Sequence, residues 1–195
     1  MLTHLDCTKC AKRYEPGRVH TVCECGAPLY PRYDLARAAL EMRPGQLALR
    51  EPTMWRYREV LPLGEGAERV SLGEGFTPLL RTPRLGACVG LPKLMVKEEG
   101  GNPTGSFKAR GLSMAVSMAK ALGATDVCLP SAGNAGAALA AYAAAAGIDA
   151  HVFLPGDVAR LFVMEVEAYG AHVETVDGLI TDAGRACAAQ AKEHG

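Results

Sequence analysis

Three groups of residues in this sequence have the types and spacing to do chemistry, and the first centres on a lysine. In Asn102-Pro103-Thr104-Gly105-Ser106-Phe107-Lys108-Ala109-Arg110-Gly111 a turn-forming run leads straight into a helical pattern, which puts Lys108 at a helix start. The partial positive charge of a helix N-terminus disfavours an ammonium there. An amine that is readily uncharged suits Schiff-base chemistry with a carbonyl compound. A lone helix-start lysine is ordinarily just solvated, so it is the surrounding string that sets Lys108 apart.

The second group is Ser131-Ala132-Gly133-Asn134-Ala135-Gly136, a turn of small residues that follows an apolar run and opens a helix. Backbone N–H groups at such a turn bind anions, and the small side chains let a ligand come close. A carboxylate fits, although a purely structural glycine turn has the same composition. The third group is Cys7, Cys10, Cys23 and Cys25, spaced C-x2-C-x12-C-x-C. Four thiolates complete a tetrahedral zinc site, which a segment too small for a core needs in order to fold. The last spacing is C-x-C where a standard knuckle has C-x2-C, so free thiols are the competing reading.

The string VKEEGGNPTGSFKARG closely resembles the pyridoxal-phosphate lysine motif of the fold-type II enzyme family, whose members include threonine synthase, threonine dehydratase and cysteine synthase. That resemblance implies that Lys108 is the cofactor-binding lysine, with Phe107 packed beside the cofactor. The SAGNAG turn is similar to the family's asparagine loop. By that likeness Ser131, Ala132, Gly133 and Asn134 hold the substrate α-carboxylate, and the Asn134 side chain bonds the cofactor's phenolic oxygen. Leu72-Gly73-Glu74-Gly75-Phe76-Thr77-Pro78-Leu79, by itself a glycine-and-proline turn, is similar to the LGEGxTPL segment of threonine synthases. The Cys23-Glu24-Cys25-Gly26-Ala27-Pro28-Leu29 stretch, followed by Tyr33-Asp34, resembles the N-terminal extension of one threonine synthase subgroup and of cysteate synthases.

The resemblance implies a lyase of threonine biosynthesis that converts O-phospho-L-homoserine and water to L-threonine and phosphate, with pyridoxal phosphate and a structural zinc, working as a homodimer on a small amino-acid substrate. Ala109 stands where many threonine synthases have Asp, which keeps a threonine or serine dehydratase and a cysteate synthase open. A non-catalytic fragment with an interacting zinc ribbon is the alternative from another class. In the family, the glycine-rich loop for the cofactor phosphate and the Ser or Thr for the pyridine nitrogen lie further along than Gly195. After the asparagine turn the glycines stand singly, at 147, 156, 170, 178, 184 and 195, so the expectation is that these residues alone bind the cofactor weakly.

Elements must position these groups, and composition divides the 195 residues into three segments. Residues 1–34, rich in Cys, Pro and aromatics, read as a zinc-ribbon-like appendage. Residues 35–92, broken by Pro44, Pro52, Pro62, Pro78, Pro83 and Pro92, read as an extended wrapping segment with few regular elements. Residues 93–195 read as an α/β domain. Strands are expected at Lys93–Glu98, Asp126–Pro130, Ala150–Leu154 and His172–Val176, each followed by a helix. Ser106 is the expected N-cap of the helix carrying Lys108, and Gly123 its stop; the next helices run from Asn134 to Gly147 and from Ala159 to Tyr169, and the last starts near Thr181. The strand starts near 126, 150 and 172 suit successive βαβ crossovers in a parallel sheet. The last helix is still running near Gly195, so the chain is expected to stop inside a larger fold.

Bulk properties narrow the classes. With 21 Lys+Arg against 21 Asp+Glu the net charge is zero, which disfavours a nucleic-acid or anionic-membrane binder. The alanine-rich run after Asn134 is too short and too weakly hydrophobic to span a bilayer, and the N-terminus lacks the pattern of a secretory signal. The chain reads as cytoplasmic, where clustered cysteines favour metal over disulfides. Cys88, Cys128 and Cys187 are scattered; His4, His20, His151 and His172 occur singly; Arg110 is expected at the site rim or on a neighbouring carboxylate, and Trp55 in the packing of the wrapping segment.

Overall fold

The computed structural model describes residues 1–194 and opens with a three-stranded antiparallel sheet of order β2-β1-β3, built from β1 (Leu2–Cys7), β2 (Arg13–Tyr14) and β3 (Leu29–Tyr33). Asp34 ends this unit and starts the next: its Oδ1 accepts the Arg37 N–H at 2.9 Å, capping α1 (Leu35–Glu41).

Between residues 35 and 92 the chain is more regular than its prolines suggest. Besides α1 it forms α2 (Pro44–Ala48), a 3-10 segment (Met54–Val60), the strand β4 (Leu79–Arg81) and α3 (Pro83–Cys88). Pro44 and Pro83 do not break these helices because each occupies the first turn, where no N–H is required.

The strand expected at Lys93–Glu98 is shorter and belongs to a different sheet. Only β5 (Met95–Lys97) forms, and it pairs antiparallel with β4, Leu79 opposite Lys97 and Arg81 opposite Met95. The physical reason lies in the connection: residues 82–94 return the chain through α3 beside β4, and a short return of this kind gives an antiparallel ribbon.

The expected parallel sheet consists of β6 (Asp126–Pro130), β7 (Asp149–Pro155) and β8 (His172–Val176), in the order β6-β7-β8. Helices α4 (Lys108–Ala121), α5 (Asn134–Ala146), α6 (Arg160–Ala168) and α7 (Ile180–His194) alternate with the strands. Gly123, Gly147 and Gly170 follow the ends of α4, α5 and α6 at φ +81°, +67° and +87°, the left-handed conformation that stops a helix most easily at glycine. Ser106 is extended and lies one residue before the cap position, held by Phe107. Its Oγ nevertheless accepts the Lys108 N–H at 3.3 Å, so it satisfies a first-turn donor as a cap does.

Alternation along the strands separates two faces. Ala150, Val152 and Leu154 face α5 and α6, in a core that also holds Val70, Ala109, Val116, Tyr142 and Val166. Phe153, Cys128 and Val176 face α7 through Ala183 and Cys187. Nearly all of α5 from Gly136 onward is buried, and its run of alanines lets α4 and β7 approach closely; a Cβ on Gly136 would stand 2.8 Å from Val152 Cγ1.

Candidate active site

Lys108 opens α4, half-buried, its Nζ 4.6 Å from the centroid of the exposed Phe107 ring. No carboxylate pairs with that Nζ among the described residues. The turn before it is held from within: Asn102, only 5% exposed, donates through Nδ2 to the carbonyl oxygen (2.8 Å) and Oε2 (2.9 Å) of Glu99, and its Oδ1 accepts the Gly75 N–H at 3.0 Å. Thr104 sits at φ +59°, a conformation uncommon for a non-glycine residue, and its buried Oγ1 has no partner among the described residues.

Arg110, one turn into α4, meets the carboxylate foreseen for it. Its Nε and Nη2 donate to Glu99 Oε2 and Oε1, both at 2.7 Å, and the Thr77 hydroxyl donates to Oε1 at 2.6 Å. The Arg110 guanidinium first, and the Thr77 hydroxyl after it, hold the Glu99 carboxyl at about 2, well below the usual carboxylate range. Residues 72–79, 99–102 and 108–110 are thereby tied into one polar block.

Below this block lies a group that sequence reasoning missed. Glu74 is fully buried, and its carboxylate accepts five hydrogen bonds. Trp55 Nε1 (2.8 Å), Ser71 Oγ (3.0 Å) and Ser113 Oγ (2.6 Å) donate to Oε1; the Leu72 N–H (2.9 Å) and Tyr142 hydroxyl (2.6 Å) donate to Oε2. Burial raises the Glu74 carboxyl, and the donors, Ser113 and Tyr142 foremost, outweigh it, so the net displacement is downward. Burial first and the hydrogen bond to the Glu74 carboxylate second push the Tyr142 hydroxyl far up, which keeps it a donor. Trp55, 1% exposed, is buried beside Glu74 with no hydrogen bond to the sheet among the described residues, and Glu74 joins residues 53–78 to α4 through Ser113 and to α5 through Tyr142. In the sequence the signal is only a glutamate set between Gly73 and Gly75.

The asparagine loop follows β6 at the carboxyl end of the parallel sheet, where open α/β folds place ligands. Buried Ser131 organises it: Oγ accepts the N–H groups of Gly133 (3.1 Å) and Gly136 (2.9 Å) and donates to the Gly133 carbonyl oxygen (2.9 Å). The N–H groups of Asn134 and Ala135 remain without a partner among the described residues. Asn134 itself is exposed at the first position of α5. Helices α4 and α5 pack side by side, each carrying its candidate residue at its start. No hydrogen bond joins Lys108 to Asn134 among the described residues. An unpaired amine at one helix start and free N–H groups at its neighbour fit a cofactor bearing an aldehyde and a substrate bearing a carboxylate.

The four N-terminal cysteines converge. Their Sγ atoms all lie within 4.8 Å of one another, with Cys7–Cys25 at 3.5 Å and Cys10–Cys23 at 3.6 Å. A tetrahedral zinc–thiolate centre requires sulfur separations of about 3.8 Å, so the set can hold a metal ion. The backbone N–H of Cys10, aided by that of Lys9, brings the Cys7 thiol down to about 6 against the opposing effect of burial. Adjacent strands also give two single histidines a neighbour: His151 stacks on His172 with ring centroids 4.9 Å apart. A concavity of about 790 Å³ lies between the first residues of the chain, residues 37–69 and the C-terminal end of α4, away from Lys108. Among the described residues no helix is long and apolar enough to cross a membrane.

Residues 70–195 match the model of a family described as pyridoxal-phosphate dependent enzyme. The threonine synthase of Methanocaldococcus jannaschii is 42% identical over 178 residues, covering 91% of this chain and 44% of that protein. The threonine synthase of Methanosarcina acetivorans is 40% identical over 182 residues, covering 92% and 44%. Among solved structures, maize serine racemase superposes with a TM-score of 0.55 at 30% identity, over 60% of this chain and 36% of the racemase. The chain thus spans less than half the length of the curated relatives it matches. Its parallel α/β sheet, its helix-start lysine and a family match over more than half the sequence agree: the chain belongs to the pyridoxal-phosphate dependent enzymes of fold-type II.

Proposed function

We propose that the chain carries the lysine and asparagine sites of a threonine synthase, which turns O-phospho-L-homoserine and water into L-threonine and phosphate. The observation that carries this reading is Lys108, the first residue of α4, its amine unpaired, within a string held from below by Glu99, Arg110 and Asn102. Relatives bearing the name threonine synthase support the choice of reaction, because their likeness covers about nine-tenths of the chain, the lysine region included. When bound, the cofactor supplies an electron sink for charge developing on the substrate. Lys108 would hold the cofactor through its aldehyde, and its amine would carry protons to and from the substrate α and β carbons. The Asn134 amide would bond the cofactor's phenolic oxygen, Phe107 would pack beside the cofactor, and the N–H groups of the 131–134 loop would hold the substrate α-carboxylate.

In this reading Cys7, Cys10, Cys23 and Cys25 bind one zinc that folds residues 1–34 as a ribbon, residues 35–92 wrap, and residues 93–195 form the cofactor domain of a cytoplasmic homodimer.

Borohydride reduction of the chain with pyridoxal phosphate, followed by peptide mapping, is expected to label Lys108. Label on another lysine with Lys108 unmodified overturns the assignment. Phosphate release from O-phosphohomoserine, assayed with the remaining length of the relatives supplied, tests the reaction; production of a keto acid from serine or threonine without threonine synthesis points to a dehydratase instead. Metal analysis is expected to give about one zinc per chain, lost in Cys7→Ser. A fully folded, metal-free appendage contradicts the zinc.

A further inference from the structure

Strand β6 and helix α7 bring together two cysteines that neither the proposed cofactor site nor the metal cluster uses. Cys128 Sγ and Cys187 Sγ lie 3.2 Å apart although 59 positions separate them in sequence, and Cys128 Sγ is 3.9 Å from the Cys187 carbonyl oxygen. Cys187 is 6% exposed, packed with Phe153 and Ala183, whereas Cys128 is half-buried. The two thus differ in access: an oxidant in solvent meets Cys128 first and finds Cys187 behind it. Burial first, and the bond to Cys128 after it, push the Cys187 thiol up to about 12, which keeps it protonated and leaves Cys128 as the sulfur that meets peroxide first.

We propose that Cys128 and Cys187 are a redox pair that closes to a disulfide in the presence of a peroxide, clasping α7 to the strand that leads into the asparagine loop. In the first step the Cys128 sulfur attacks one oxygen of hydrogen peroxide, the O–O bond breaks, and the leaving hydroxide takes the thiol proton to become water. Cys128 is then a sulfenic acid. In the second step the Cys187 sulfur attacks the Cys128 sulfur, the S–O bond breaks, and the departing hydroxide leaves as water with the Cys187 proton. Two thiols and one peroxide become one disulfide and two waters; the sulfurs lose two electrons and the peroxide gains them. A dithiol reductant reverses the clasp.

The test treats the native chain with hydrogen peroxide, alkylates the remaining thiols and digests with trypsin. The expected product is the peptide 121–160 joined to the peptide 186–192, released by dithiothreitol, with the exposed Cys88 in neither. Closing a loop of this length is expected to raise the melting temperature by roughly 10 °C, and reduction removes the rise. Both Cys187→Ser and Cys187→Ala are expected to lose the linked peptide and to leave Cys128 as a sulfenic acid that dimedone captures. The proposal is overturned if the linked peptide forms only after unfolding in urea, or if peroxide modifies Cys88 while Cys128 and Cys187 both remain free thiols.

Discussion

Replacing Glu74 by glutamine keeps the shape of the side chain and removes one acceptor from a site that has no spare donor geometry. Of its five donors, the serine and tyrosine hydroxyls can turn, but Trp55 Nε1–H on one oxygen and the Leu72 N–H on the other cannot. Whichever way the amide is placed, its NH2 faces one of those fixed N–H groups. A buried unsatisfied donor costs about 1–3 kcal/mol, and each remaining bond loses the advantage of a charged acceptor, about 1 kcal/mol. Relief of the buried charge offsets part of this, which leaves a destabilisation of about 2–4 kcal/mol and a fall in melting temperature of roughly 5–15 °C. The assay is urea unfolding of wild type and Glu74→Gln, read as a lower midpoint at unchanged slope. The pH dependence adds a second readout. Because the folded Glu74 carboxyl is lowered from its ordinary 4.5, its contribution is present above that value and is lost as pH falls below it toward the folded value. The gap between the two proteins therefore narrows in acid. A loss below about 0.5 kcal/mol at neutral pH, or a gap that stays constant down to about pH 3, refutes the role assigned to this carboxylate.

Three further outcomes are expected. Gly75→Ala puts a Cβ 2.4 Å from the Met54 nitrogen at φ +103°, so a loss of more than about 2 kcal/mol should appear in urea unfolding. Gly136→Ala drives a Cβ to 2.8 Å from Val152 Cγ1 and 3.2 Å from Ser131 Cβ, and overpacking should cost about 1–3 kcal/mol, seen as a lower thermal midpoint. The Glu99 carboxyl, titrated by carbon NMR, should have its midpoint at about 2 rather than the ordinary 4.5; stability from its pair with Arg110 is then complete above 4.5 and lost as pH falls through about 2, whereas Arg110→Ala should return the midpoint toward 4.5.

What could be read in the sequence was local. Gly123, Gly147 and Gly170 mark helix ends because the left-handed backbone they adopt is a property of single residues, and β6, β7 and β8 fall where apolar runs recur at crossover spacing. The cysteine cluster was legible for the same reason, since the reactive type is rare and the four are close in sequence. The Glu74 site was not. Its partners Ser113 and Tyr142 lie 39 and 68 positions away, and no periodicity within a helix records which distant carboxylate its serine or tyrosine will meet. The antiparallel β4–β5 ribbon escaped similarly, because an apolar run of that length states that a strand forms but not its partner or direction.

The distances spanned by the Glu74 contacts also order the events of folding. Strands β6, β7 and β8 and the helices between them join neighbours along the chain, so their closure entropy is small and they can form early. Glu74 has no donors from α4 and α5 until those helices are already packed side by side. Residues 53–78 are thereby expected to dock onto α4 and α5 after those helices form, in which case Glu74→Gln speeds unfolding and leaves the folding rate little changed.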